Sequence, residues 1–394
     1  MEVSEIIKNI NAAVDSLPTE ITDEDRIALL AAKDKLQDRI ETPLDTFVRF
    51  MLSTVQTTAL RLGHQMKFLE TGIAAHGPVS LEDLAKPSSA DPQLVNRIMR
   101  VLVAMKFFQE PEKNVYIANP HVAAFMKPSP LAAGIHHIGH IVPTIASLPE
   151  YLAKHGYQDP SDAFNGPWQL VNQTKDQYFE WIAKRPEDQE AFNTLMAITR
   201  LQRGEDWFEF YPVEDKLKAS SPEDIVLVDI GGGLGHDAIA FRNHFPDLPG
   251  KVVVEDLPAV TAEIKDLPDG IEALGHSFLD PQPASISNAK AYYLRTVLHD
   301  WPDKQALVIL KHIRNIMSKD SILLINENAM PDTNVPLYAA QIDFTMMASF
   351  SSLDRTEEQF RKLLEEARFS LLKVWRPKVE LPGSAVLFEA SKKE

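Results

Sequence analysis

The run VLVDIGGGLGHD, residues 226–237, breaks an apolar stretch into glycines at Gly231, Gly233 and Gly235, with an acid, Asp229, two residues ahead of them. A β-branched run ending in glycine reads as a buried strand turning sharply into a helix, and residues without Cβ let a ligand approach the backbone of the turn. The spacing points to a nucleotide-type cleft. A dinucleotide fingerprint needs a third glycine where this chain has His236, which argues against NAD. Asp256 ends the next strand-like run, 25 positions after Gly231, where such folds place an acid for ribose hydroxyls. The segment AYYLRTVLHDWPD, residues 291–303, puts His299 just past another strand end, with Asp300, Trp301 and Pro302 behind it. A lone histidine is more often structural than catalytic, but one at the carboxyl edge of the sheet that carries the glycine loop borders the same cleft. Glu327 ends a further strand, and Asp354 lies on a loop before a helix. Glu327 has the better position, Asp354 fits helix-start chemistry as well, and read alone each could be a solvated carboxylate.

These residues need a scaffold. After Ser221 short apolar runs alternate with helical stretches: IVLVDI, KVVVED, AKAYYL, SILLIN, then SLLKVW and AVLFEA. Strands alternating with helices predict a mostly parallel sheet covered on both faces, with ligands at the carboxyl ends of the strands. Upstream, Thr22 and Asp25 cap a helix running to about Ile40, Pro43 interrupts, and Leu44 to Glu70 reads as one apolar helix. Two short helices and the strand-like NVYIANP then suggest a winged helix. Its first 125 residues hold thirteen Lys and Arg against seventeen Asp and Glu, the wrong sign for reading phosphates, so a dimerisation module is the better reading. Three regions are expected: 1–125 for dimerisation, 126–215 as an aromatic-rich helical region lining the substrate, and 216–394 as the catalytic domain, with a linker near Pro212 to Pro222.

The chain has 394 residues, a net charge of −16 and no cysteine. Acidity opposes nucleic acid or an anionic membrane as the main partner, and a chain without thiols can form neither disulfides nor a thiolate nucleophile. The amino terminus does not resemble a signal peptide, and no apolar run long enough to span a bilayer is expected. A cytoplasmic protein acting on a small molecule is expected.

Taken in order, DIGGGLGH, EDLPAV, YYLRTVLHDWPD, INENAMP, the acid before RT at Asp354, and DFTMM from Asp343 resemble the plant and fungal small-molecule O-methyltransferases. The likeness is strongest to the fungal branch that decorates polyketide-type natural products, and it extends over nearly the whole chain. It implies an α/β fold: a Rossmann-like class I methyltransferase sheet behind an all-helical, winged-helix amino-terminal dimerisation domain. It also implies S-adenosylmethionine (SAM) as cofactor, no metal, and a homodimer. By that resemblance His299 is the general base, Glu327 and Asp354 hold it, and Asp256 binds the ribose. Asp229, Gly231, Gly233 and Gly235 form the first cofactor motif. Arg295 lines the SAM site, Trp301 packs beside the adenosyl group, and Met196, Met346, Met347 and Phe350 line the acceptor pocket. Two positions depart from the family pattern. After the third strand, where the family has an aspartate that accepts the adenine amino group of SAM and an aromatic or methionine, this chain has Ser277 and Phe278 as the implied cofactor-binding residues, and Asp354 stands where glutamate is usual.

The implied reaction is methyl transfer to a phenolic or enolic hydroxyl of an aromatic metabolite. A phenol has a pKa of about 10 and an imidazole about 6.5, so prior deprotonation is uphill, whereas proton transfer as the C–O bond forms avoids that cost. The alternative is an enzyme of the same fold that binds SAM without consuming it and promotes dehydration or a pericyclic step, with His137 as a second polar group. A DNA-binding regulator, argued only from the winged helix, is the remaining alternative.

Overall fold

A computed structural model describes residues 2–201, 205–378 and 385–393, with side chains undescribed in 197–201. The chain divides into two compact units, Met1–Pro120 and His121–Glu394.

In the first unit Thr22 caps the helix Asp23–Ile40 by accepting the Asp25 amide, as its sequence predicts. The stretch from Leu44 to Glu70 does not form one helix. It is broken into Pro43–Met51, Ser53–Gln65 and Phe68–Ala74, the last break made by Lys67 in the left-handed region with φ 60°. Thr42 explains the first start, forming a reciprocal capping box with Asp45 ahead of Pro43. Helices Leu81–Ala85 and Pro92–Ala104 then pack with a small antiparallel sheet of β1 (Val79–Ser80), β2 (Phe108–Glu112) and β3 (Val115–Ala118), ordered β1-β3-β2. This is the winged-helix pattern. None of the residues of the first three helices, Val3–Asp15, Asp23–Ile40 and Pro43–Met51, is buried within the unit, and Ile6, Ile7, Leu30, Phe47, Phe50 and Met51 are exposed.

The second unit is built on a seven-stranded sheet: β4 (Ile225–Ile230), β5 (Lys251–Asp256), β6 (Ile271–Gly275), β7 (Ala291–Arg295), β8 (Ile322–Glu327), β9 (Phe369–Trp375) and β10 (Val386–Lys392). The order is β6-β5-β4-β7-β8-β10-β9; the first five strands run parallel and β10 is antiparallel to both neighbours. The central strands read as continuous apolar runs because both faces are covered, one by Leu298, Ile309, Ile313 and Phe360, the other by Trp207, Phe241 and Leu217. The chain leaves β4 first toward β5 and β6 and later returns to β7 on its other side. The crevice at the carboxyl ends of β4 and β7 is therefore the topological switch point, where such sheets bind ligands.

The segment from Pro212 to Pro222 is not a free linker. It contains the helix Val213–Lys216, and Val213 and Leu217 are buried against β4 and the helix His236–His244. Contrary to the expectation of no such run, helix Pro130–Lys154 is long and apolar enough, by length and composition, to cross a membrane. It carries three histidines and packs within its unit against Pro167–Asn172, Pro186–Leu201 and Leu337–Phe350. Core helices of globular proteins meet the same measure.

Candidate active site

The glycine loop and the histidine turn abut at the switch point. Gly231 (φ 72°) has no room for a side chain, since a Cβ there would lie 2.8 Å from Val297 and 3.5 Å from the Phe278 ring. Its amide and that of Gly232 both donate to the Glu255 carbonyl, which draws the loop over the end of β5. Gly233 (φ 59°) faces open space, with nothing within 4 Å of a Cβ built there. Gly235 (φ 80°) starts the helix His236–His244. Asp229 is buried at the end of β4, its carboxyl 2.7 Å from where a Gly232 side chain would begin. Asp256 closes the loop from the β5 side: Oδ2 accepts the Gly233 amide at 2.8 Å and Oδ1 the Leu257 amide at 2.7 Å. Each oxygen keeps lone-pair capacity for a ligand hydroxyl. Burial raises the Asp256 pKa, while the Gly233 and Leu257 amides act in the opposite direction.

Phe278, beside Gly231, meets Trp301 edge-on at 5.7 Å, and Trp301 itself is buried. Ser277 is half-buried on the same loop, its carbonyl accepting the Asp280 amide. Arg295, at the end of β7, pairs with Asp237 at 3.1 Å, tying the glycine-loop helix to the sheet. An open glycine face, a carboxylate at the end of the neighbouring strand and an aromatic ring beside the turn fit a nucleoside-bearing cofactor such as SAM.

His299 sits on a short turn, Leu298–Asp300, whose backbone is held from three sides. Glu327 Oε1 accepts the amides of Val297 at 3.0 Å, Leu298 at 2.9 Å and His299 at 3.4 Å. Arg355 is almost wholly buried and donates to the carbonyls of Leu298 (2.7 Å) and Trp301 (2.8 Å) and to Asp303. Ser352 Oγ donates to the His299 carbonyl at 2.6 Å. The imidazole itself lies between two acids, Nδ1 facing Asp354 at 3.3 Å and Nε2 facing Asp300 at 3.5 Å. Burial alone would lower its pKa. The charges of Asp300, Asp354 and Glu327 outweigh burial and lift the ring to about 10. Burial, reinforced by Glu327 and Asp354, raises Asp300 to about 7 against the pull of the His299 charge.

The structure thus corrects one expectation and adds three residues, Asp300, Arg355 and Ser352. Glu327 holds the histidine's backbone rather than its ring, because the turn leaves three successive amides without helical partners and the end of β8 lies beneath them. Asp300 faces the nitrogen left for an acceptor. Arg355 fixes the turn; its only sequence signal was the R of DRT, which served as a landmark for the acid before it.

The pocket residues separate. His137 Nδ1 lies 3.0 Å from the Tyr178 hydroxyl, and Tyr178, Phe350, Trp168 and Trp181 form one aromatic cluster with Met346 packed on it. Burial, then the neighbouring His140 and His136, depress the His137 pKa to about 4. Met347 is half-buried on the same helix as Phe350, whereas Met196 is 39% exposed on the helix Pro186–Leu201.

An O-methyltransferase domain model matches residues 173–370, and an O-methyltransferase dimerisation domain model matches residues 44–128. The chain belongs to the O-methyltransferase family. It is 34% identical to methyltransferase cfoC of Aspergillus candidus, over 89% of this chain and 88% of that one. To demethylsterigmatocystin 6-O-methyltransferase of Aspergillus parasiticus it is 32% identical over 86% of each chain. The SAM complex of LepI superposes over the full length of both chains with a TM-score of 0.82 at 29% identity. This O-methyltransferase is accordingly a SAM-dependent enzyme with the class I fold, related to enzymes of fungal secondary metabolism. The reading in which SAM is bound without methyl transfer is not favoured.

Proposed function

We propose that this enzyme methylates a phenolic or enolic hydroxyl of an aromatic, polyketide-type metabolite, with His299 taking the proton. The observation that carries the reading is the place of His299: two residues from Val297, which touches the glycine loop, and between Asp354 and Asp300. SAM supplies the electrophilic methyl group on a sulfonium. Asp256 would accept from the ribose hydroxyls, Gly233 would admit the cofactor to the backbone of a loop that Gly231 lets close against Val297, and Phe278 would cover it, with Trp301 packed behind. Asp229 and Gly235 shape the loop at its two ends, and Arg295 steadies it through Asp237. Glu327, Arg355 and Ser352 keep the turn from moving, so that His299 Nε2 meets the acceptor oxygen without reorganisation. Raised toward the pKa of a phenol, the ring can share the proton nearly evenly as the C–O bond forms.

The aromatic cluster around Tyr178, with His137, Met346 and Phe350, suits a flat apolar acceptor, and Met347 and Met196 are assigned to its lining by family position alone. The exposed apolar faces of the first three helices support a homodimer, and the acidic chain supports a cytoplasmic enzyme with neither nucleic acid nor membrane as partner. We divide the chain by role as expected from its sequence, 1–125 for dimerisation, 126–215 for the acceptor and 216–394 for SAM.

The test supplies labelled SAM and a panel of aromatic polyketide phenols and follows the methyl ether and S-adenosylhomocysteine together. His299→Gln should lower turnover roughly 100-fold or more with SAM affinity unchanged. Parallel loss of SAM binding would assign the residue to folding instead.

A further inference from the structure

We propose that His136, His140 and Asp188 bind a divalent transition-metal ion of the zinc type. His136 and His140 stand one turn apart on the helix Pro130–Lys154, the spacing that brings two side chains to one face, and Asp188 lies in the first turn of the helix Pro186–Leu201 packed against it. All three ligand atoms converge. His136 Nε2 lies 2.7 Å and His140 Nε2 3.0 Å from Asp188 Oδ1, and the two nitrogens are 3.4 Å apart.

A tetrahedral ion with bonds of about 2.0–2.1 Å places its ligands about 3.3 Å from one another. The circle through the three atoms has a radius of about 1.8 Å, shorter than such a bond, so an ion can sit equidistant from all three, roughly 1 Å out of their plane. The donor set, two imidazoles and one carboxylate, suits zinc, cobalt, nickel or copper and not the oxygen-seeking calcium or magnesium. Three protein ligands leave a position for water or another oxygen ligand, and the ring exposures of 31% for His136 and 25% for His140 give an ion a way in. Coordination would pin two packed helices to each other. His137, between the two ligands in sequence, faces the Tyr178 hydroxyl, so the ion would also fix one wall of the aromatic cluster. The rival arrangement is a proton-only network, both imidazoles donating to the one carboxylate oxygen.

Full-length protein stripped with a chelator and titrated with cobalt(II) distinguishes the two. The proposal expects one equivalent to develop the intense visible bands of low-coordinate cobalt, which zinc(II) then bleaches, and expects zinc to raise the melting temperature. Loss of a partner of a ligand typically costs 10- to 100-fold in metal affinity, so removing a ligand outright in His136→Ala or His140→Ala should cost at least about 100-fold and abolish the zinc stabilisation. Asp188→Asn, nearly isosteric, should also weaken binding, and His155→Ala, beyond the end of the same helix, should not. Circular dichroism verifies that each variant is folded. Absence of the bands at one equivalent, or bands of equal affinity in both histidine variants, would overturn the site and leave the proton-only network.

Discussion

Asp354→Asn tests how the site sets the strength of its base. The substitution removes the charge 3.3 Å from His299 Nδ1 and keeps an oxygen that can accept the ring N–H. In the wild-type protein burial is the largest influence on the ring and lowers its pKa; Asp300, Asp354 and Glu327 together reverse it and bring the value to about 10. Asp354 acts twice, by hydrogen bond and by charge. At pH 7 a group of that pKa is neutral in about one molecule in a thousand. One carboxylate at contact distance shifts a partner by about 1–3 units, so the variant's ring should titrate about 1–3 units lower and be neutral about 10- to 500-fold more often at pH 7.

The weaker base should also give a lower plateau rate once it is fully deprotonated. Initial rates of methyl-ether formation at saturating SAM, from about pH 6 to about pH 10.5, report both effects. Wild-type activity should climb through the neutral range toward pH 10; the variant should level off earlier and lower. Acceptors differing in hydroxyl pKa separate the ring's ionisation from the substrate's. Stability obeys the same sign. A histidine raised from 6.5 to about 10 contributes stability that is complete below about pH 6.5 and lost as pH rises through about 10, so the wild-type melting temperature should fall over that window more than the variant's. A wild-type rate already flat above pH 7, or an Asp354→Asn profile reduced in height with its limb unmoved, would refute the reasoning.

Asp256→Ala should weaken SAM binding by on the order of 1.5 to 3 kcal/mol, about 10- to 100-fold, by loss of a charged acceptor for ribose hydroxyls; an unchanged calorimetric Kd would put the ribose elsewhere. Arg355→Lys cannot serve the Leu298 and Trp301 carbonyls and Asp303 together, so about 1–3 kcal/mol of stability and much of kcat should be lost while SAM Kd holds, read by melting and steady-state kinetics. Ser277→Asp should tighten SAM binding by roughly 1 kcal/mol, about 5-fold, through a charge-assisted bond to the adenine amino group, and unaltered affinity would mean that Ser277 does not face the adenine.

What the sequence alone determined is local in origin. The β-branched runs of β4, β5 and β8 announce strands buried on both faces, the glycines announce a turn that tolerates no side chains, and Thr22 announces a helix start, because each depends on a few successive residues and their backbone preferences. The place of His299 at the sheet edge was legible for the same reason: it follows an apolar strand. The division of Leu44 to Glu70 into three helices was not, since a left-handed Lys67 has no composition signal. Nor did β6, with its exposed Glu272, stand out by pattern; only the family resemblance implied a third strand there. Tertiary structure alone decided which atoms meet. Glu327 lies 28 positions from His299 and Arg355 lies 57 from Leu298, and whether a carboxylate reaches a ring nitrogen or the amides beside it depends on how two strand ends and a loop are stacked. The same holds for His136 and Asp188, 52 residues apart, whose convergence depends on the packing of two helices. Hydrogen bonds and charge pairs of that range carry no periodicity, so sequence pattern can nominate the residues while the packed fold assigns their partners and, through those partners, their charge.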